Sequence, residues 1–141
     1  MTDERQSTNE QLSPEECWKM LGDDGIGRLA TVVVDPVTAE PAPDIFPINY
    51  LVHENSILFR SAPGTKLMEL AAQSAVAFEA DGHRGRKHWS VVARGHANRM
   101  LFDETIEASG IVDMHATHPS DKWNYLQITV DVITGIHFKQ A

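Results

Sequence analysis

The 141-residue chain has one cysteine, Cys17, so an intrachain disulfide framework is excluded. It is short of base, with 12 Lys and Arg against 20 Asp and Glu, a formal charge of −8 with histidine neutral. That balance is a poor match to nucleic acid or to an anionic membrane surface. It has no apolar run approaching the roughly 18 residues that would span a bilayer. The stretch Met1 to Gln11 is polar and acidic, the opposite of a secretory signal. No Gly-x-Ser-x-Gly elbow occurs, and Cys17 sits among Trp18, Met20 and Leu21, so nucleophilic catalysis has no support. What remains is 42% hydrophobic and 23% charged, the composition of a soluble, cytoplasmic, single-domain protein. A domain of this length buries roughly two-thirds of its unfolded surface and can hold its own core.

The organisation follows from local chemistry. Residues 1 to 12 read as a disordered leader, and 13 to 141 as one domain. Ser13-Pro14-Glu15-Glu16 is a helix start with a capping box and a proline where no N–H is needed. Gly22 ends that short helix. Gly27 to Val34 has the β-branched content of a strand, Asp35 to Pro43 reads as a proline-rich loop, and Asp44 to Val52 as a second strand. Pro47 inside it marks an edge, a bulge or a strand end. His53 to Ser56 is turn material, and Ile57 to Ser61 returns as a hairpin. Thr65 caps an expected helix through Ala71. Ser74 to Asp81 alternates, with Val76, Phe78 and Ala80 on one side. Gly82 to His88 reads as an exposed basic loop. Trp89 to Met100 is a long strand with Gly95 marking a bulge or a close approach. Phe102 to Ser109 is helical, and Tyr125 to Phe138 is a strand pair or one strand bent at Gly135. This order predicts a mostly β (α+β) fold: a closed or nearly closed antiparallel barrel of six or seven strands with a few short helices. Its edges and apolar faces would pair with a second copy.

Three segments could carry chemistry. Phe59 to Leu67 joins a strand end, a Gly turn and a helix start, with Arg60, Ser61, Thr65 and Lys66 close in sequence. Helix N-terminal amides beside a hydroxyl, an ammonium and a guanidinium suit a phosphate. The glycine spacing is not that of a P-loop, and an ordinary capped helix would show the same pattern. Trp89-Ser90 opens a strand where it could stack on or hydrogen-bond a planar ring, or simply supply a core Trp. Pro47-Ile48-Asn49-Tyr50 frees backbone groups for a ligand's ring edge, or is merely an edge strand. His115-x-x-His118, with Asp113 or Asp121, lacks a third spaced ligand, and no metal site is assigned.

In this order, Gly27 to Ala30, Phe46 to Tyr50, Leu58 to Lys66, Ala77 to Glu79 and Trp89 to Gly95 resemble the FMN-binding split barrels related to pyridoxamine 5′-phosphate oxidase, in its small bacterial members. The resemblance covers about residues 13 to 138. It implies a homodimer with FMN at the subunit interface, with the deazaflavin F420 as the alternative cofactor of a related branch. Carried over by position, Thr65 and Lys66 hold the phosphate, with Arg60 and Ser61 on the strand leading there. Pro47, Ile48, Asn49 and Tyr50 lie along the isoalloxazine, and Ser90, beside Trp89, supplies a polar contact.

Two departures separate the chain from the oxidase proper. The strand Ile45 to Tyr50 lacks the oxidase's basic side chains, and no arginine follows Arg99. Thr65 also stands where the oxidase has an arginine. The implied function is an FMN-dependent oxidoreductase acting on a small molecule other than the oxidase's own substrate. The alternative is a flavin- or F420-binding module for storage or sensing without turnover.

Overall fold

The computed structural model describes residues 9–61, 75–100, 103–113 and 124–139. Strand β1 is Glu10–Leu12, helix α1 Pro14–Leu21, β2 Asp24–Val34, β3 Pro41–His53 and β4 Ser56–Ser61. They are followed by β5 Ala75–Arg84, β6 Lys87–Arg99, α2 Asp103–Ser109, a 3-10 turn Ile111–Asp113 and β7 Asn124–Lys139. All strand pairings are antiparallel. The order is β1-β7-β4-β3-β2-β5-β6, and β6 pairs back onto β7. Six strands therefore close a barrel, and β1 is added to the far half of β7. The expected split-barrel architecture is present, with seven strands.

Alpha1 forms where its start signal stands. Ser13 Oγ accepts from the Glu16 amide at 3.2 Å, and Glu16 Oε1 accepts from the Ser13 amide at 3.0 Å. That reciprocal pair satisfies two amides at a helix end, and it holds the Glu16 carboxyl below its ordinary pKa. Cys17 and Leu21 face inward from α1, and Trp18 packs beside them. Alpha1 thus covers one end of the barrel. Burial pushes the Cys17 thiol up, which keeps it protonated and inert.

The barrel interior holds Leu29, Ile48, Tyr50, Ile57, Phe59, Val76, Phe78, Val91, Ala93, Leu126 and Ile128, all buried. A second, smaller core lies outside the barrel wall, where Leu58, Met100, Ile106 and Ile111 meet Leu51 and Tyr125. The region of α2 and the 3-10 turn therefore covers the outer side of β4.

Four local expectations change. Glu10–Leu12, placed in the leader, form β1 and pair with Gly135 to His137. That strand depends on a distant partner and has no local signal. The proline-rich segment is a loop only to Glu40, because β2 and β3 stay paired as far as Val34 opposite Pro41. Pro41, Pro43 and Pro47 share one parity, so their missing N–H groups lie on one side of β3. Beta3 meets β4 only from Tyr50 opposite Phe59 onward, so among the described residues that side is a free edge over 41–49. The basic segment Gly82 to His88 is a tight hairpin, with Arg84 opposite Lys87 and Gly85 at φ 62° in the turn. Finally, β7 is one strand whose register runs undisturbed through Gly135. Gly135 is required by packing: a Cβ there would come 2.9 Å from Cys17 Sγ and 2.9 Å from the Ser90 carbonyl oxygen.

The irregularity lies instead at Gly95. Arg94 pairs with Val132 and Gly95 with Val130, leaving Asp131 as the extra residue of a bulge. A Cβ on Gly95 would overlap the Thr129 carbonyl, a backbone group that cannot swing aside. Gly95→Ala is expected to destabilise the fold by about 1–3 kcal/mol, whereas Arg94→Ala, exposed beside it, should change it by less than about 0.5 kcal/mol. Urea unfolding of the two variants checks this; equal midpoints would contradict the close approach.

Candidate functional site

The pleat decides which residues can share a site, because successive side chains point to opposite faces. On the outer face of the barrel, Ile45, Ala30, Ala77, Arg94 and Val132 stand in one cross-strand row from β3 to β7. The next row is Pro47, Arg28, Glu79, Val92 and Thr134. Asn49 and Ile26 follow on β3 and β2, and Asp81, Ser90 and Ile136 on β5 to β7. This face exposes several large apolar side chains: Ile26 is 66% exposed, Ile45 62%, Val132 51% and Ile136 39%.

Near its centre lies one ion cluster, which the sequence reading did not single out. Arg28 Nε donates to Glu79 Oε2 at 2.6 Å, and its Nη2 donates to Glu79 Oε1 at 3.1 Å and to Asp81 Oδ1 at 2.8 Å. The Glu79 carboxylate first, then Asp81, pushes the guanidinium pKa up. Only the register could have revealed this trio, since Arg28 and Glu79 are 51 residues apart.

The same alternation divides the residues assigned from sequence. Pro47 and Asn49 lie on the exposed outer face. Ile48 and Tyr50 are buried, at 6% and 3% exposure, and belong to the barrel core. Their side chains therefore do not face a ligand on that surface, and their backbone groups point toward β2; the free edge of β3 belongs to Ile45, Pro47 and Asn49. The Tyr50 hydroxyl donates to the Leu21 carbonyl at 2.7 Å, satisfying an oxygen at the C-terminus of α1. Its ring meets Phe78 edge-on with centroids 5.0 Å apart. Burial pushes the phenol pKa up, so Tyr50 stays a neutral donor.

Arg60 and Ser61 end β4, opposite Tyr125 and Asn124. Arg60, half-buried, shares the parity of Leu58 and stands on the outer side with Asn49, whereas Ser61, buried, shares the parity of Phe59 and turns inward. Thr65 and Lys66, the expected phosphate pair, lie outside the described residues, as do His115 and His118. Ser90 stands three strand spacings from Pro47 and Asn49, about 14 Å along the sheet. It lines a groove of about 580 Å³ with Gln11, Pro14, Val92, Thr134 and Ile136. Trp89 faces the opposite way from Ser90 and lines a separate cleft at the α1 end of the barrel, with Lys19, Arg84, Lys87 and His137. The assigned residues thus form two groups on one chain, one at the β3–β4 side and one at Ser90, with Trp89 in neither.

Residues 13–139 match the family model for pyridoxamine 5′-phosphate oxidase. Among solved structures, an FAD-binding protein of Mycobacterium smegmatis is 32% identical and superposes with a TM-score of 0.77, over 92% of this chain and 98% of that one. A Corynebacterium glutamicum protein named as a candidate pyridoxamine 5′-phosphate oxidase is 29% identical, with a TM-score of 0.79 over 100% and 98%. An uncharacterized protein of Mycobacterium tuberculosis is 32% identical over 89 residues, 63% of this chain and 81% of that protein.

Assignment of Tyr50 to the core is checked by removing its hydroxyl alone. Tyr50→Phe leaves the Leu21 carbonyl without its donor, at an expected cost of about 1–3 kcal/mol in unfolding free energy. An unchanged urea midpoint would contradict the bond that ties α1 to β3.

Proposed function

The chain belongs to the pyridoxamine 5′-phosphate oxidase family, and from that membership we propose that it is a flavin-binding oxidoreductase. We further propose that it works as a cytoplasmic homodimer holding FMN between its subunits and acting on a small molecule. The observation that carries this reading is the division of the candidate residues on a barrel face that leaves large apolar side chains exposed. In the barrel that six strands close, β3 and β6 are three strands apart in either direction, so the Pro47–Asn49 side and Ser90 lie on opposite sides of it. A flavin touching both groups therefore takes one from each chain. Burial of Ile26, Ile45, Val132 and Ile136 against a second copy supplies the driving force for that pairing.

The residues present fit a flavin. The free edge of β3 offers backbone groups at Ile45, Pro47 and Asn49, where a ring's polar edge can pair, and the Pro47 and Ile45 side chains offer it an apolar surface. Arg60, with Lys66 and Thr65 of the adjoining sequence, supplies charge-assisted hydrogen bonds to a phosphate. Ser90 adds a hydroxyl from the partner's β6. The flavin, when bound, supplies hydride and electron transfer, while these residues bind it, orient it and keep water from its ring. FMN and FAD share the ring and the first phosphate. The 32% identical Mycobacterium smegmatis protein is described as binding FAD, so both flavins belong in the test.

Titration of the purified protein with FMN and with FAD, read by flavin absorbance and thermal shift, tests the reading. At a flavin concentration of about 100 times the dissociation constant, the expected stabilisation is about 2.7 kcal/mol. Arg60→Ala with Lys66→Ala should weaken binding by at least about tenfold. Ile45→Glu should give a folded monomer in sedimentation that binds neither flavin. Absence of any shift with either flavin would overturn the flavin reading, and a fully loaded Ile45→Glu monomer would overturn the shared site. Reduction of the loaded protein by NADH or NADPH in stopped flow, against none, separates an oxidoreductase from a storage module.

A further inference from the structure

The α1 end of the barrel carries an arrangement that the flavin reading does not use. Two neighbouring rows on one face are set by the register. In the first, Gly82, Trp89 and His137 stand opposite one another. In the second, Arg84, Lys87 and Lys139 do. Three cations directly opposite one another across adjacent strands repel, and natural sheets ordinarily avoid such a row. None of the three makes an ion pair with a described residue. Lys19 adds a fourth cation from the last turn of α1, and it closes with Met20 over a cleft of about 480 Å³ lined by Arg84, Lys87, Trp89 and His137. The acids beside it are at its rim: Glu10 Oε2 lies 3.8 Å from His137 Nδ1, and Glu16 interacts with Lys19 and His137.

The floor of the cleft is an indole made accessible by a glycine. A Cβ at position 82 would come 2.7 Å from Trp89 Nε1 and 2.8 Å from the ring carbons, so only glycine lets the ring lie there. Concentrated positive charge is not explained by the fold, because a chain of net charge −8 gains nothing from clustering its few cations. It is explained by an anion. An aromatic wall beside a cationic row selects an anion joined to a planar ring, and the volume matches a ligand of that size.

We propose that this cleft binds a nucleoside phosphate, its base against Trp89 and its phosphate between Arg84, Lys87 and Lys19. The site is separate from the flavin surface because Trp89 and His137 turn to the opposite face of β6 and β7 from Ser90 and Ile136. The proposal therefore does not rest on the flavin reading.

AMP is the probe, titrated against the full chain with tryptophan fluorescence and thermal melting as readouts. AMP is expected to raise Tm and quench fluorescence, and adenosine or inorganic phosphate alone to bind at least about tenfold more weakly. Arg84→Ala with Lys87→Ala, both exposed, should keep the melting transition and weaken AMP by at least about tenfold. Trp89→Phe should lose most of the quench. Saturation with FMN should leave the AMP titration unchanged. No response to AMP, or an unchanged affinity in the Arg84/Lys87 variant, would overturn the proposal. So would one-for-one displacement of AMP by FMN, which would assign the cleft to the flavin and leave the flavin reading standing. Loss of flavin binding with AMP binding retained would overturn only the flavin reading.

Discussion

The ladder between β6 and β7 is the constraint on which the rest depends. It runs from Lys87 opposite Lys139 to Arg99 opposite Leu126 and turns an open sheet into a barrel. Closure removes two sheet edges and gives Phe59, Phe78, Leu126 and Ile128 a common interior. It also fixes the parity of every residue on the two strands. Trp89 and His137 turn toward the α1 end, while Ser90 and Ile136 turn to the outer face. One bulge, at Asp131 opposite Gly95, lets β7 keep its pairing past the point where it leaves β4 for β1. Function inherits that geometry, because both candidate binding surfaces are made of rows that cross this ladder.

Charge is distributed by the same rule. The chain is acidic as a whole, yet its cations occupy chosen rows. Arg28 is paired at the centre of the outer face with both Glu79 and Asp81, so a second chain or a flavin ring meets a hydrogen-bonded cluster with one carboxylate charge in excess rather than a bare cation. Arg84, Lys87 and Lys139 are left facing one another at the barrel end, where an incoming anion relieves their repulsion. The outer face is thus built for apolar cover and the barrel end for an anion.

Much of the fold was legible because its signals are local. The capping box at Ser13 and Glu16, the turn before Ile57, the alternation of Val76, Phe78 and Ala80 and the bulge at Gly95 each lie within a few residues of their cause. Glu10–Leu12 was not legible, because three residues become a strand only by meeting Gly135 to His137. Gly135 suggests a bend in sequence because glycine marks both bends and close contacts, and only the approach of Cys17 distinguishes them. The site was legible as a set of segments but not as side chains. Pro47 to Tyr50 is one continuous block in sequence, and the pleat sends Ile48 and Tyr50 into the core. Trp89 and Ser90 are parted in the same way. Arg28 was visible only as part of a motif, since its two carboxylate partners arrive from another strand.

The central claim is that one flavin takes contacts from two chains, and mixed dimers test it most directly. A chain carrying Arg60→Ala and Lys66→Ala is co-folded with one carrying Ser90→Trp, and flavin bound per chain is measured by absorbance. Each parent dimer has two damaged sites. A mixed dimer places both changes in one site and leaves the other intact, so the account requires flavin binding to reappear at one per mixed dimer. Mixed dimers that form but bind no more flavin than either parent would contradict it, because each site would then be built within a single chain.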